Sequence, residues 1–380
     1  MKVITSEKLP IKMWLDDIED GALEQAKNLA NLPFVYKWIS IMPDCHQGYG
    51  MPIGGVMATR QVIVPNAVGV DIGCGMCAVR TSLTEIDTET IKKIMGDIRE
   101  VVPVGFAHQE ETQEWEGFND APDIKIIQEQ LNSARKQLGT LGGGNHFIEI
   151  QKGSDGYIWL MLHSGSRNLG YKVANAYHKK AQALCERWCS DIPVKDLSFL
   201  PMESSEGKEY YIAMKFCLEF AYQNRQTMMQ NIMNIFYDHT KGVSTQEINI
   251  HHNYAAFEHH YGKNVIVHRK GATKASKGML GIIPGSMGTS SYIVEGLGNP
   301  ESFESCSHGA GRRMGRKDAK RTLSLDDERA KMKNIVHGLR SVQDLDEAPG
   351  AYKDIGVVMD NQKELVKPMV TLFPLGSIKG

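Results

Sequence analysis

Six side chains of types that bind metal ions or attack phosphorus stand in glycine-rich or polar contexts rather than in apolar stripes. They are Asp71 and Cys74 in Gly-Val-Asp-Ile-Gly-Cys-Gly (69–75), His146 in Gly-Gly-Gly-Asn-His-Phe (142–147), His163 in His-Ser-Gly-Ser-Arg (163–167), His252 in His-His-Asn-Tyr (251–254) and His308 in Ser-His-Gly-Ala-Gly-Arg (307–312). A lone histidine is usually a satisfied core or surface residue. Four in such contexts favour a folded-up active site that holds two metal ions.

The pair Asp71 and Cys74, three positions apart, is flanked by Gly73 and Gly75. A glycine-rich loop would let both side chains reach one ion, and a thiolate can bridge two. The alternative is a turn aspartate and a small buried thiol. Mixed Asp, Cys and His ligation fits a borderline divalent ion such as Mn or Zn. Cys77 completes a Cys-x-x-Cys pair, but no second ligand pair follows, which disfavours a zinc ribbon.

Two glycine-rich stretches, 142–144 and 285–289, could bring backbone N–H groups close to phosphates. Neither has the Gly-x-x-x-x-Gly-Lys-Ser/Thr pattern of a P-loop, and such stretches are often only turns. Basic residues cluster at 268–277 and 312–321, around the second stretch and His308. These clusters are either solvated basic faces or phosphate contacts. Neither His-Glu-x-x-His nor Lys-x-Asp-Gly occurs, which disfavours a metalloprotease and a lysine-nucleotidylating ligase.

The bulk composition bounds the class of protein. The 380 residues are 42% apolar and 23% charged, with a net charge of −2, which is typical of a globular protein and not of a basic nucleic-acid coat. No run of about 18 apolar residues occurs, so we expect no membrane span. The start of the chain lacks an apolar signal region, and seven cysteines make no disulfide framework, so we expect reduced thiols and a cytoplasmic location.

The elements that must position these side chains alternate between short strands and helices. Helices are predicted near 18–32, 84–100, 122–138, 168–190, 208–238 and 312–340, with a Ser82-x-x-Glu85 capping box before the second. Strands are predicted at 145–150 and 157–163, and a loop at 42–48. The methionines of the 208–238 helix are interpreted as core packing. The fold class is α/β (mixed α+β): one domain over 1–380, with mixed sheets flanked by helices and helical insertions near 84–138 and 168–240.

Nine motifs in combination resemble those of the RNA-splicing ligase RtcB family, from about Met42 to the final Lys379-Gly380. They are Asp-Cys-His-Gln-Gly-Tyr-Gly (44–50), Gly-Val-Asp-Ile-Gly-Cys-Gly (69–75), Gly-Gly-Gly-Asn-His-Phe-Ile-Glu (142–149), His-Ser-Gly-Ser-Arg (163–167), His-His-Asn-Tyr-Ala (251–255), His-Arg-Lys-Gly-Ala-Thr (268–273), Pro-Gly-Ser-Met-Gly-Thr (284–289), Ser-His-Gly-Ala-Gly-Arg (307–312) and Glu-Ala-Pro-x-Ala-Tyr-Lys (347–353). The resemblance implies a compact domain with a central metal-lined cleft.

The resemblance also implies a GTP- and Mn-dependent ligase that joins an RNA 3′-phosphate or 2′,3′-cyclic phosphate to a 5′-hydroxyl. His308 would take GMP from GTP and pass it to the RNA 3′-phosphate, and the 5′-hydroxyl would then displace GMP. Asp71, Cys74, His146, His163 and His252 would hold two Mn ions, with Cys74 between them.

Further residues match the family's nucleotide and RNA contacts. The nucleotide set is Asn145, Phe147, Glu149, Asn253, Gly285, Ser286, Met287, Thr289, His308, Ala310, Gly311, Tyr352 and Lys379. The resemblance places Arg167, Arg312 and Arg316 at RNA or terminal phosphates, as bidentate contacts. Cys45, His46 and Cys77 remain candidates for supporting positions behind these residues.

The segments 80–145 and 167–251 are short for the family. These segments would shape RNA access, and the resemblance to shorter bacterial members implies RNA repair, in some cases with a release-factor-like partner, rather than housekeeping tRNA splicing. Two alternatives stay open. One is a metal-dependent RNA cyclic phosphodiesterase or phosphatase that does not ligate, although hydrolysis needs no nucleotide acceptor such as His308. The other is a non-catalytic RNA-binding subunit, in which Cys74 would be dispensable.

Overall fold

The computed structural model describes residues 1–380, in which strands alternate with helices along most of the chain. The strands are β1 (Lys2–Ile4), β2 (Ile11–Met13), β3 (Val35–His46), β4 (Ile53–Thr59), β5 (Val62–Ile63), β6 (Gly75–Thr81), β7 (Phe147–Gly153), β8 (Ile158–Ser164), β9 (Leu200–Pro201), β10 (Ser244–His251), β11 (Asn253–His260), β12 (Lys263–Lys270), β13 (Ala272–Lys274), β14 (Leu280–Ile283), β15 (Ser291–Gly296), β16 (Ser305–Ser307), β17 (Val336–His337) and β18 (Val366–Lys379).

The α-helices are α1 (Asp20–Ala30), α2 (Pro65–Val68), α3 (Thr88–Val101), α4 (Lys125–Gln137), α5 (Arg167–Arg187), α6 (Ser205–Thr240), α7 (Arg316–Thr322), α8 (Leu325–Lys331) and α9 (Ile355–Asp360). Short 3-10 helices cover Glu116–Phe118, Lys195–Leu197, Pro300–Ser302, Val342–Glu347 and Pro349–Ala351. No helix combines the length and apolar character that crossing a membrane requires.

Two large sheets organise the fold. A six-stranded sheet has the order β1-β2-β3-β4-β12-β11, and an eight-stranded sheet has the order β10-β6-β8-β7-β18-β15-β14 with β17 paired to β18. His252 lies at the joint between them, because β10 ends at His251 in the eight-stranded sheet and β11 begins at Asn253 in the six-stranded one. The mixed α/β class predicted from the sequence is confirmed.

Helices α4, α5 and α6 form an apolar layer against the sheets. Tyr177, Tyr210 and Phe220 are fully buried there, and Trp115 stacks on Phe216 with ring centroids 5.8 Å apart. The methionines Met214, Met228 and Met229 of α6 are also buried, which confirms the prediction of core packing. The predicted helices and strands between residues 122 and 238 lie close to their predicted bounds.

Three local predictions are wrong. The predicted loop at 42–48 is largely the buried end of β3, which pairs irregularly with β4 between Ile41 and His46; Pro43, which has no N–H, lies in this interval. The helix after residue 82 begins at Thr88, capped by Asp87, so Ser82 forms no capping box. The basic helix predicted at 312–340 is two short helices, because Ser324 accepts a hydrogen bond from Asp327 N–H and starts a second helix.

The first three residues of the basic cluster at 268–277 are buried, whereas Lys277 is exposed. Arg269 is fully buried on β12 and makes a two-pronged ion pair with Glu258 of β11, with N–O distances of 2.5 and 3.1 Å. His268 is buried as well, and its Nε2 accepts a hydrogen bond from Val64 N–H at 3.0 Å. The cluster therefore holds two strands together, and only Lys270 of these three residues lines a cleft.

Candidate active site

The histidine in the glycine-rich motif is held by a buried aspartate. His308 follows β16, and its Nδ1 lies 2.6 Å from Oδ2 of Asp44 on β3. The same oxygen accepts the backbone N–H groups of His308 and Gly309 at 3.0 and 3.3 Å. A carboxylate oxygen only accepts, so Nδ1 carries a hydrogen, and in the neutral ring the lone pair is therefore on Nε2. This is the tautomer that a nucleophilic imidazole needs.

The approach of these two segments requires glycine at position 311. Gly311 has a φ of +75°, and a Cβ built there would overlap the carbonyl oxygen of Asp44. Any other side chain would therefore push the 308–311 loop away from β3. Gly311 thus serves the Asp44–His308 contact.

Four predicted metal ligands converge on one another. The Sγ of Cys74 lies 3.4 Å from His146 Nε2 and 3.2 Å from His163 Nε2. His163 Nε2 lies 3.2 Å from His252 Nε2. With Asp71, whose Oδ2 is 3.2 Å from His146 Nε2, they form two triads that share Cys74.

Neighbouring strands produce this convergence. Cys74 directly precedes β6, His146 directly precedes β7 and His163 lies on β8, and β6, β8 and β7 are adjacent in the eight-stranded sheet. His163 lies opposite Phe147 on β7 and Met76 on β6 in the strand register. The ligands therefore gather at one end of three paired strands, with His252 reaching in from the joint between the sheets.

The orientation of the rings fits a bound metal ion. Nδ1 of His146 donates to Leu141 O and Nδ1 of His163 donates to Asn145 O, both at 2.9 Å, so both Nε2 lone pairs face Cys74. Burial holds the pKa of His163 well below its ordinary value, so its ring is neutral. Burial also raises the pKa of Cys74, so an ion would have to displace the thiol proton. The two Nε2 lone pairs and the Cys74 sulfur, once its proton is displaced, suit a divalent cation.

His308 and four of the five predicted metal ligands line one cleft of about 620 Å³, and His146 lies behind this lining. His252 and His308 have ring centroids 4.8 Å apart. Of the residues matched to nucleotide or RNA contacts, the cleft is lined by Asn145, Phe147, Glu149, Asn253, Gly285, Ser286, Met287, Ala310, Gly311, Arg312, Arg316, Tyr352 and Lys379. Residues from almost the whole length of the chain therefore meet in one place.

Two strands place an acid and a base at one part of this cleft. In the register of β7 and β18, Ser377 lies opposite Glu149 and Lys379 opposite Phe147. Glu149 accepts hydrogen bonds from Gln151 Nε2 at 2.7 Å and Ser377 Oγ at 3.2 Å. Burial raises the pKa of Glu149 to about 7, while nearby Lys379 acts in the opposite direction. Lys379 Nζ lies 5.2 Å from the centre of the Phe147 ring.

Two predicted contact residues do not line the cleft. Thr289 Oγ1 accepts Ser286 N–H at 2.7 Å, so it shapes the 285–289 loop from behind. Arg167 begins α5 and is engaged by the protein, with Nε donating to Thr140 Oγ1 at 3.0 Å and Nη2 to Gly105 O at 2.9 Å.

The arginines near the cleft share one carboxylate. Arg312 Nη1 and Arg316 Nε each lie 3.0 Å from Oε1 of Glu347, and the Tyr352 hydroxyl donates to its Oε2. Glu347 therefore sets the positions of three lining residues. Sequence reasoning missed Glu347 and also Asp44, although each is the first residue of a quoted motif.

Of the three residues predicted to support the site, only one lines the cleft. His46 lines the cleft, and its Nδ1 lies 3.0 Å from Asp44 O. Cys45 is buried, and its carbonyl accepts a hydrogen bond from Lys353. Cys77 is buried on β6, where its Sγ lies 3.9 Å from Glu247 Oε1, and it belongs to neither triad.

Comparisons with known proteins agree with the resemblance seen in the motifs. The chain matches the family described as tRNA-splicing ligase RtcB over residues 25–121 and 107–380. The RNA-splicing ligase RtcB of Escherichia coli (strain K12) is 39% identical over 410 aligned residues, covering 100% of this chain and 99% of that protein. The tRNA-splicing ligase RtcB of Thermococcus kodakarensis is 32% identical over 461 aligned residues, covering 98% and 95%. The tRNA-splicing ligase RtcB of Pyrobaculum aerophilum is 31% identical with the same coverage. On these matches, the chain belongs to the RtcB family.

Proposed function

We propose that this protein is an RNA ligase that uses GTP and two Mn ions to join an RNA 3′-phosphate or 2′,3′-cyclic phosphate to a 5′-hydroxyl. The observation that carries the proposal is the placement of His308, whose Nδ1 lies 2.6 Å from Asp44 Oδ2 and whose ring lines the same cleft as Cys74, the ligand that both triads share. The RtcB family membership supports an RNA ligase, and the buried Glu149 beside the half-buried Lys379 supports a guanine nucleotide.

His308 would act first. Its Nε2 attacks the α-phosphorus of GTP, an N–P bond forms, and the P–O bond to the β-phosphate breaks to release pyrophosphate. The ring gains positive charge as the bond forms, and the Asp44 carboxylate at Nδ1 offsets that charge. Asp71, Cys74, His146, His163 and His252 would hold the metal ions, which supply charge neutralisation for phosphate groups.

The next two steps return His308 to its starting state. An oxygen of the RNA 3′-phosphate attacks the phosphorus of the bound GMP, and the N–P bond breaks. The 5′-hydroxyl of the second RNA end then attacks the 3′-phosphate phosphorus, loses its proton, and GMP leaves. A cyclic end is first opened by water to a 3′-phosphate. Arg312 and Arg316 would hold these phosphates by paired N–H contacts, and Arg167 would support the site from outside the lining.

The remaining cleft residues would select the nucleotide. The carboxylate of Glu149 would accept the N1 and N2 hydrogens of guanine, and Lys379 would contact the base or ribose. Phe147 and Tyr352 offer aromatic surface, Asn145 and Asn253 offer amide groups, and the 285–289 loop with Ala310 and Gly311 offers close backbone approach to phosphate. The short internal segments 80–145 and 167–251 support a role in RNA repair.

The test is transfer of label from GTP to the protein. The protein is incubated with GTP labelled at the α-phosphate and Mn, denatured, and digested. Label that survives base, is lost in acid and maps to the peptide with His308 is the expected result. His308→Ala should carry no label, whereas His239→Ala, at a surface histidine on α6 paired with Asp97, should label normally.

An unlabelled, folded, metal-loaded protein would overturn the proposal. The same triads would then favour the hydrolytic alternative, a metal-dependent cyclic phosphodiesterase or phosphatase, which is assayed by opening of a 2′,3′-cyclic phosphate. If a Cys74→Ala variant also kept full cellular function, a non-catalytic RNA-binding subunit would be favoured instead.

A further inference from the structure

The lining of the cleft has a part to which the proposed function assigns no ligand. It is carried mainly by the six-stranded sheet, whereas Glu149 and Lys379 belong to the eight-stranded one. We call it the second arm, and it consists of Gln47, Gly48, Tyr49, Asn66, Val70 and Lys270. Gln47 to Tyr49 follow the end of β3, and Lys270 is the last residue of β12.

Tyr49 combines a fixed backbone with an exposed ring. Its carbonyl accepts a hydrogen bond from Lys270 Nζ at 2.5 Å. The preceding Gly48 is clamped by Gln25, which donates to its carbonyl at 2.6 Å and accepts its N–H at 3.1 Å. Yet the Tyr49 residue is 74% exposed at the cleft. An aromatic ring held in this way offers a flat surface at a low cost in conformational entropy.

Lys270 places an amino group at the inner end of the second arm, and burial lowers the pKa of this group to about 7. It is only 7% exposed, and its Nζ donates to two neutral carbonyls, Tyr49 O and Asn66 O, the second at 3.1 Å. No carboxylate lies within ion-pair distance of this ammonium group. Because an ammonium has three N–H donors, one remains for a further acceptor. An anionic group in the cleft would provide that acceptor and would stabilise the protonated form of the buried amine.

We propose that the second arm binds the 3′-terminal nucleotide of the RNA strand that receives GMP, with its base stacked on Tyr49 and its phosphate towards Lys270. The inference rests on the proposed function, in which the RNA 3′-phosphate must reach the cleft that contains His308. A terminal 3′-phosphate is anionic, whereas a 5′-hydroxyl terminus is neutral, so the buried amine of Lys270, which an anion would keep protonated, favours the strand that ends in the 3′-phosphate. Stacking on a single ring tolerates any base.

The test is a double-mutant cycle between Tyr49 and the terminal base. Binding of a short 3′-phosphorylated RNA, labelled at its other end, is measured by fluorescence anisotropy with Mn present. The RNA carries either a normal or an abasic 3′-terminal nucleotide. Tyr49→Ala should weaken binding of the normal RNA roughly 10-fold, as expected for loss of one stacked base. The abasic RNA should bind the native protein equally weakly, and Tyr49→Ala should add no further loss.

Three comparisons sharpen the outcome. The Tyr49→Phe variant keeps the ring and should bind RNA as tightly as the native protein does. The Tyr237→Ala variant removes an exposed tyrosine on α6, outside the cleft, and should bind RNA unchanged. Losses from Tyr49→Ala and from the abasic nucleotide that multiply would overturn the proposal. So would coupling seen only with an abasic 5′-terminal nucleotide on a 5′-hydroxyl RNA, which would assign the second arm to the other strand.

A separate assay tests the proposed function itself. The same preparations are incubated with α-labelled GTP, and GMP bound to the protein is counted. Absence of label on the native protein counts against the ligase mechanism, whereas the binding cycle needs no GTP and reports on Tyr49 alone.

Discussion

Nδ1 of His308 lies 2.6 Å from Oδ2 of Asp44, a fully buried carboxylate 264 positions away in the sequence. The same oxygen accepts two backbone N–H groups of the 308–309 segment, so one atom fixes both the ring and the loop that carries it. The ring therefore needs no reorientation before Nε2 acts as a nucleophile.

Asp44→Asn should slow transfer of GMP to the protein by on the order of 10³-fold, because the amide no longer selects the Nδ1–H tautomer. The rate is measured by quenched-flow labelling with α-labelled GTP. Cys45→Ser, a change at the adjacent buried residue, should cost far less. An Asp44→Asn protein that is labelled at the native rate would show that the tautomer is set by another group.

Cys74→Ala should remove the ligand shared by both triads and lower Mn affinity by more than about 100-fold, since loss of supporting contacts alone can cost that much. Isothermal titration calorimetry with Mn measures the change. Cys77→Ala is the matched control, because that thiol is equally buried and only three residues away but lies outside the triads. Equal losses in the two variants would argue against Cys74 as a ligand.

The sequence predicts the parts of the site that depend on local patterns, and it does not predict those that depend on contacts between distant parts of the chain. The ligands Cys74, His146 and His163 stand out because each occupies a glycine or polar context at the end of a strand, which is a local pattern. The Asp44–His308 pair has no local pattern, since its partners meet only through tertiary structure. For the same reason the sequence does not distinguish the buried ion pair of Arg269 with Glu258 from part of a solvated basic cluster.

Glu258→Ala should destabilise the protein by about 3–5 kcal/mol, because it leaves the fully buried guanidinium of Arg269 without its counter-charge. Urea unfolding measures the free energy. Glu89→Ala breaks the exposed pair with Lys92 and should change it by less than about 1 kcal/mol. Similar values for the two variants would mean that Arg269 is solvated in the folded protein.

The same ion pair gives the stability a pH dependence. Burial alone would raise the pKa of Glu258, but the Arg269 guanidinium outweighs it and holds that pKa well below its ordinary value. A lowered pKa in the folded state stabilises the protein above the unfolded value near 4.5, and this contribution is lost as the pH falls below it. The difference in stability between native and Glu258→Gln protein should therefore shrink as the pH is taken from about 6 to about 3. A difference that stays constant over that range would contradict the ion pair.

The raised pKa of Glu149 makes the stability of the protein depend on pH with the sign opposite to that of Glu258. Burial raises this pKa from 4.5 to about 7 in the nucleotide-free protein, so the folded state favours the protonated acid. The stabilisation is fully present below pH about 4.5 and is lost as the pH rises through about 7. The amide of the Glu149→Gln variant is neutral and cannot titrate. Glu149→Gln should therefore raise the melting temperature relative to the native protein at about pH 8, and by less at about pH 6.

The affinity for GTP should rise with pH, whereas the contribution of Glu149 to stability falls, because only the carboxylate form of Glu149 accepts both guanine N–H groups. Affinity measured by calorimetry should rise as the pH goes from about 6 to about 8 in the native protein. Glu149→Gln should bind GTP on the order of 10- to 100-fold more weakly at the higher pH, since its amide N–H₂ faces donors, and should lose most of the pH dependence. Glu295→Gln, on β15 outside the cleft, is the control. Retention of the native pH profile in Glu149→Gln would show that another group titrates on binding and that Glu149 does not read the base.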